Sequence, residues 1–205
     1  MFGPVFIAAL VAIAASENCP SGGEIFARGI TEEGKIQVIK AHNDYRLEIA
    51  NGRLANQPRA VNMKKMVYDQ GIGEKGKVVS DSCTMHHIIA EDDRFNWIGQ
   101  NLYMMRSSEK DDEGQDWNRA VASWFIENKD FTYPNITAEN KVTGHYTQVA
   151  WADSKNVGCD YIYFYDNTTP ITPYSKLYTC NYGPGGNYIG VAPYETGTSG
   201  CENLC

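Results

Sequence analysis

Apolar and polar positions divide the chain into helical and extended stretches. Thr31 precedes the paired acids Glu32 and Glu33, apolar residues follow at Ile36, Ile39 and Leu47, and Asn51-Gly52 closes the segment. A hydroxyl side chain caps the free N–H groups of a first turn, acids favour its partial positive charge, and Asn-Gly ends a helix. The pattern predicts a helix from Thr31 to Asn51 with Ile36, Ile39 and Leu47 on its stripe. Between Met63 and Val79 the apolar positions are Met63, Met66, Val67 and Ile72, interrupted by Gly71, Gly73 and Gly76. Each glycine costs a helix interior about 1 kcal/mol relative to Ala, so a broken helix is expected there. From Asp116 to Asn128, Trp117, Ala120, Val121 and Trp124 recur at the i, i+3, i+4, i+7 spacing of a buried stripe.

Val157 to Tyr182 has another character. The β-prone runs Tyr161 to Tyr165 and Lys176 to Cys180 are separated by Asp166, Asn167, Pro170 and Pro173, which reads as a long hairpin. Both alternating faces of the first run are apolar or aromatic. A strand without a polar face is covered on both sides, so helices are expected above and below the sheet. From Gly183 the chain is rich in Gly and Pro and carries Cys201 and Cys205.

Residues 1–16 change the setting of this domain. Met1-Phe2-Gly3-Pro4 leads into the uncharged stretch Val5 to Ala14 and the small residues Ala14-Ala15-Ser16, before the first charge at Glu17. That order is the anatomy of a secretory signal peptide cleaved near Ser16, and the stretch is too short to span a bilayer. All six cysteines, Cys19, Cys83, Cys159, Cys180, Cys201 and Cys205, lie beyond it. Their even number in a secretory context reads as disulfides, and the lack of any Cys-x-x-Cys pair argues against structural zinc. Asn135-Ile136-Thr137 and Asn167-Thr168-Thr169 are acceptor sequons for N-glycosylation. The 42% apolar content supports a folded core rather than disorder, and the net charge of −7 makes nucleic acid and anionic membranes poor partners. A single secreted, monomeric, extracellular domain without a transmembrane segment is expected.

Three segments carry a resemblance. His42-Asn43-Asp44-Tyr45-Arg46, Gly144-His145-Tyr146-Thr147-Gln148 and Cys180-Asn181-Tyr182-Gly183-Pro184-Gly185-Gly186-Asn187 occur in that order, with Gly99-Gln100-Asn101-Leu102 and the Trp117, Trp124, Glu127 pattern between them. With these motifs the chain resembles the CAP superfamily, and within it the insect antigen 5 and venom allergen branch. The resemblance implies a three-layer α-β-α sandwich with a central antiparallel sheet, the domain spanning 17–182 and a Gly/Pro-rich tail 183–205. It also implies the pairings Cys19–Cys83 and Cys159–Cys180, which leaves Cys201 with Cys205. The family's polar cleft tetrad falls on His87, Gln100, Glu127 and His145, with Gln100 standing where an acid is usual.

The chemistry of that cleft divides two ways. His87 and His145 are candidate zinc ligands, with Glu127 as a third ligand or base, or the set is a hydrogen-bonded polar cluster. Replacing a carboxylate by the neutral Gln100 removes charge that a divalent cation favours, so no cofactor is required and zinc is disfavoured. On this reading Gln100→Glu restores zinc affinity. His87 follows Cys83 by four residues, and a helix there would put both on one face. Glu127 lies beside the buried stripe and needs a partner, which His145 can supply as a buried pair. His42 is read as structural, bracing its helix against the sheet.

Phe131, Tyr133 and Ile136 mark a candidate apolar groove for a sterol or fatty acid, or ordinary loop packing. The absence of a Gly-x-Ser-x-Gly elbow and of a free cysteine leaves hydrolysis a minority reading. The functional expectation is a non-enzymatic venom or salivary effector on an extracellular host protein, such as a voltage-gated calcium or potassium channel. A small-lipid scavenger and a zinc-dependent hydrolase are the alternatives.

Overall fold

The aromatic run at Tyr161 lies in the middle of the sheet. In the computed structural model, which describes residues 18–88, 91–112, 114–137 and 141–205, it belongs to strand β4 (Asn156–Tyr165), paired antiparallel with β5 (Tyr174–Gly183). The expected signal peptide lies outside the described residues. β3 (Gly99–Ser107) pairs with the other edge of β5, and β1 (Ile25–Arg28) with the other edge of β4, giving the order β1-β4-β5-β3. A two-residue strand β2 (Val67–Tyr68) adds a short parallel pairing to β4.

Helices cover both faces, as the pattern of β4 demands. Alternate side chains of a strand point to opposite sides. Tyr161 and Tyr163 join a cluster with α1 (Glu32–Ala50), α3 (Trp117–Phe125) and α4 (Gly144–Val149), whereas Ile162 and Phe164 join one with Val79 of α2 (Gln70–Ser82). The result is the α-β-α sandwich.

α1 begins where expected: the Thr31 hydroxyl accepts the Gly34 N–H at 3.0 Å. Its inner face corrects the sequence reading. Ile36 is 63% exposed, and the buried positions are Gly34, Val38, Ala41, His42, Asn43, Arg46, Ile49 and Ala50. Three of these eight are polar or charged, so a stripe drawn through Ile36 misplaces the buried face. The second helix is also displaced. Met63 and Met66 are buried in a segment without regular structure before β2, with Lys64 and Lys65 exposed between them, and α2 starts only at Gln70, capped by Asp69 accepting from Ile72 N–H. The glycines belong to the helix. A side chain on Gly158 of β4 would run into the backbone of Asp69 and Gly73, so glycine on both sides lets α2 lie against the sheet at closer range than side chains permit.

α3 has the apolar stripe its spacing promised, with Trp117, Ala120, Val121 and Trp124 buried. It ends at Phe125, and a 3₁₀ turn, Ile126–Lys129, carries Glu127. Disulfides join Cys19 to Cys83, Cys159 to Cys180 and Cys201 to Cys205, the second pair standing opposite each other across β4 and β5. Residues 183–205 fold back on the sandwich: Ala152 N–H donates to Pro193 O, Val61 N–H to Glu195 O and Cys205 N–H to Met63 O.

Candidate functional site

The polar face of α1 fixes the site's floor. Arg46 is fully buried and donates to four carbonyls, Lys64 O, Val149 O, Trp151 O and Ala152 O, at 2.6 to 3.0 Å. Three of these belong to the end of α4 and the turn after it, so Arg46 holds that short helix against α1. Burial pushes the Arg46 guanidinium down to about 9. Asn43 clamps the backbone of Met66 from both sides, donating to its O at 3.0 Å and accepting from its N–H at 2.8 Å.

His42 does what the sequence assigned it. Its Nδ1–H donates to Val38 O at 2.7 Å, which leaves Nε2 to accept from Tyr182 Oη at 2.9 Å. Burial pushes its pKa down to about 4, so the ring is neutral and holds α1 to β5. Asn101 Nδ2 donates both to Tyr182 Oη at 3.2 Å and to His145 O at 3.1 Å. A continuous polar path therefore runs from α1 through the sheet to α4.

The four cleft positions form two couples. Glu127 Oε1 accepts from His145 Nδ1 at 2.7 Å, and Oε2 accepts the His145 and Tyr146 N–H groups at 3.1 Å each. His145 also stacks on Trp124, ring centroids 6.4 Å apart. In the other couple His87 Nδ1 lies 3.0 Å from Gln100 Oε1. Gln100 Nε2 donates to Ile88 O at 3.1 Å and to Asn181 Oδ1 at 2.9 Å, and Asn181 Nδ2 donates to Ile72 O at 2.9 Å. The two backbone carbonyls can only accept, so they set the direction of both amides and make Gln100 Oε1 the acceptor of His87 Nδ1–H. Both imidazoles are thus fixed by Nδ1, and among the described residues neither Nε2 has a hydrogen-bond partner.

This geometry changes two expectations. His87 is not on a helical face with Cys83: α2 stops at Ser82, Cys83 has φ 52°, and His87 follows on an exposed, non-helical segment held by Gln100. Gln100→Glu would turn a donor into an acceptor facing Ile88 O and Asn181 Oδ1, so the substitution expected to supply charge for zinc would also break two hydrogen bonds. The couples abut consecutive β3 residues, Gln100 and Asn101, whose side chains leave opposite faces of the strand. Among the described residues no three His, Cys, Asp or Glu side chains stand together as a metal site.

A cleft of about 230 Å³ lies beside the His87–Gln100 couple, lined by His87, Trp97, Ile98, Gln100, Gln148 and Asn187 among others. Gln148, Asn187, Asn101 and Asn181 carry no role in the sequence reading although each lies within a quoted motif. For Asn101 and Asn181, polar residues in a sheet covered on both faces were the available signal. Gln148 Oε1 accepts from Gly186 N–H and its Nε2 donates to Ser154 Oγ, while Asn187 bridges Thr147 Oγ1 and Gly144 O. Gly99 is required here, because a Cβ would overlap the Gln148 amide. Of the two readings for Phe131, Tyr133 and Ile136, the contacts are those of loop packing. Phe131 and Ile136 are buried in the α1-side core, and Tyr133 donates to Tyr194 O at 2.7 Å. Asn135 and Asn167 of the two sequons are exposed.

A sandwich of this topology, with this paired His-acid cleft, defines a class. Residues 39–182 match the CAP family, described as the cysteine-rich secretory protein family, and the chain belongs to it. It is 35% identical over 175 residues to a venom allergen 5 from Microctonus hyperodae, covering 82% of this chain and 73% of the relative. It is 33% identical over 180 residues to a salivary antigen-5 from Dipetalogaster maximus, covering 84% and 70%. The fold is shared with a solved structure described as NaASP2 with Zn2+, with a TM-score of 0.69, 24% identity, and coverage of 92% of this chain and 100% of the other.

Proposed function

We propose that this protein is a secreted effector of venom or saliva that binds an extracellular host target, a voltage-gated calcium or potassium channel being the candidate, without cleaving it. The observation that carries the reading is the match to venom and salivary CAP proteins. In the cleft both Glu127 oxygens and both ends of the Gln100 amide are engaged, which leaves the Nε2 atoms of His87 and His145 as its open polar groups. All the cysteines are in disulfides, so none is available as a nucleophile. The names of the venom and salivary relatives support the setting.

The same donors do not suit tight zinc. Two imidazole Nε2 atoms remain, and the one carboxylate is occupied by three hydrogen bonds, whereas zinc sites draw on three or four close donors.

Channel currents recorded in a calcium and potassium panel at micromolar protein test the proposal. A changed current that survives in the His87→Ala/His145→Ala variant, with the panel targets intact on gels, is the expected result. Silence across the panel with lipid extracted from the native protein would favour the scavenger. Hydrolysis abolished by a chelator would establish an enzyme.

A further inference from the structure

The three disulfides have very different surroundings. Cys19, Cys83, Cys159 and Cys180 are 4%, 6%, 1% and 0% exposed and belong to the two core clusters. Cys201 is half-buried and Cys205 exposed. A thiolate can attack a buried bridge only after the core opens, whereas the third bridge is reachable in the folded protein.

Two further features point the same way. Cys201 and Leu204 have φ of 56° and 65°, a left-handed conformation that costs a non-glycine residue energy, and both lie in the turn that the bridge closes. Glu202, between the cysteines, is paired with Arg59 Nη2 at 2.6 Å, which offsets the repulsion that an anionic thiolate would meet.

We infer that Cys201–Cys205 is an exchangeable disulfide at which a low-molecular-weight thiol of the cysteine or glutathione class forms a mixed disulfide with Cys205. The external thiolate attacks Cys205 Sγ, a new S–S bond forms there, and the Cys201–Cys205 bond breaks. The electron pair leaves on Cys201 Sγ, which takes a proton from water. One thiol is consumed and one produced, so no separate oxidant or reductant is needed.

The turn remains held after exchange. Arg59 Nη1 donates to Thr198 O at 3.0 Å and Asn51 Nδ2 to Glu202 O at 3.1 Å, independently of the sulfurs. The sandwich should stay folded while the modification forms.

The test treats the oxidised protein with reduced glutathione at neutral pH, blocks free thiols with N-ethylmaleimide and maps the peptides. One glutathione on Cys205 with a blocked Cys201 is expected, forming at least about tenfold faster than any change at the other four cysteines. No adduct, or opening of Cys19–Cys83 or Cys159–Cys180 at the same rate, overturns the inference. Cys201→Ser gives a second reading: its lone Cys205 should react in the native state with Ellman's reagent, and protection until denaturant is added also overturns it. The rate ratio in the unmutated protein stands whether or not that variant folds.

Discussion

α1 and α3 pack side by side on the same face of the sheet and are built on opposite principles. α3 buries an apolar stripe of two tryptophans, Ala120 and Val121. α1 buries His42, Asn43 and Arg46, each hydrogen-bonded to backbone or to Tyr182. Apolar packing is non-directional and tolerates many shapes, whereas a buried guanidinium is stable only where acceptors meet it at fixed angles. α3 therefore supplies cohesion, and α1 dictates where β5, α4 and the segment before β2 must lie. The cleft inherits its geometry from α1, although its acid Glu127 follows α3.

The sharpest way to break this contrast is to remove one anchor from each helix. Arg46→Ala removes the guanidinium from four carbonyls, of which Trp151 O and Ala152 O keep the Ser154 and Lys64 N–H groups as donors, and a loss of about 4 kcal/mol is expected. Trp124→Ala should cost about 3–5 kcal/mol by cavity formation. The distinguishing readout in denaturant melts with amide exchange is location. Arg46→Ala should release protection around α4 and residues 150–152, and Trp124→Ala should lower stability more evenly. Equal patterns would mean that α1 holds no special place.

Acid probes the same helix. His42 has a folded pKa of about 4, below its ordinary 6.5. Between those values the unfolded chain binds the proton and the folded one does not, so stability falls as pH drops from 6.5 towards 4, by about 3 kcal/mol across the window. Thermal melts of His42→Phe should be less stable near neutrality yet show a shallower decline over that range. An unchanged slope would remove His42 from the acid response.

The smallest effect is expected at the cleft. Gln100→Glu places an acceptor against Ile88 O and Asn181 Oδ1 and should cost about 1–3 kcal/mol near neutral pH. Protonation of the new carboxyl below its pKa restores a donor, so the deficit should shrink in acid. A variant as stable as the parent at neutral pH, with tighter zinc by calorimetry, would instead show that Gln100 stands in for a missing ligand.

Much of the fold was legible because its signals are local. The Thr31 cap, the α3 spacing and the two-faced run at Tyr161 each translate into structure through a period or a capping bond. The motif residues His87, Gln100, Glu127 and His145 were legible as a set, and Glu127–His145 as a pair. Their division into two couples was not, because it depends on which side of β3 each neighbour leaves. Ile36 and the Met63–Val79 segment misled for a related reason: hydrophobicity does not report that Asn43 and Arg46 are buried, or that glycines can bring a helix against a strand.

By itself the sequence determined the layers and the hairpin, which follow from periodicity and residue type over short stretches, and the family resemblance supplied the cleft positions. Only the tertiary structure decided what those residues do. The direction of the Gln100 amide is set by Ile88 O and Asn181, and that of Asn181 by Ile72 O, all brought together across elements distant in sequence. Likewise Cys201–Cys205 differs from the other bridges only through the shielding that the folded core gives to those and withholds from it. Hydrogen-bond direction and solvent access are properties of assembled surroundings, and no local pattern in the chain encodes them.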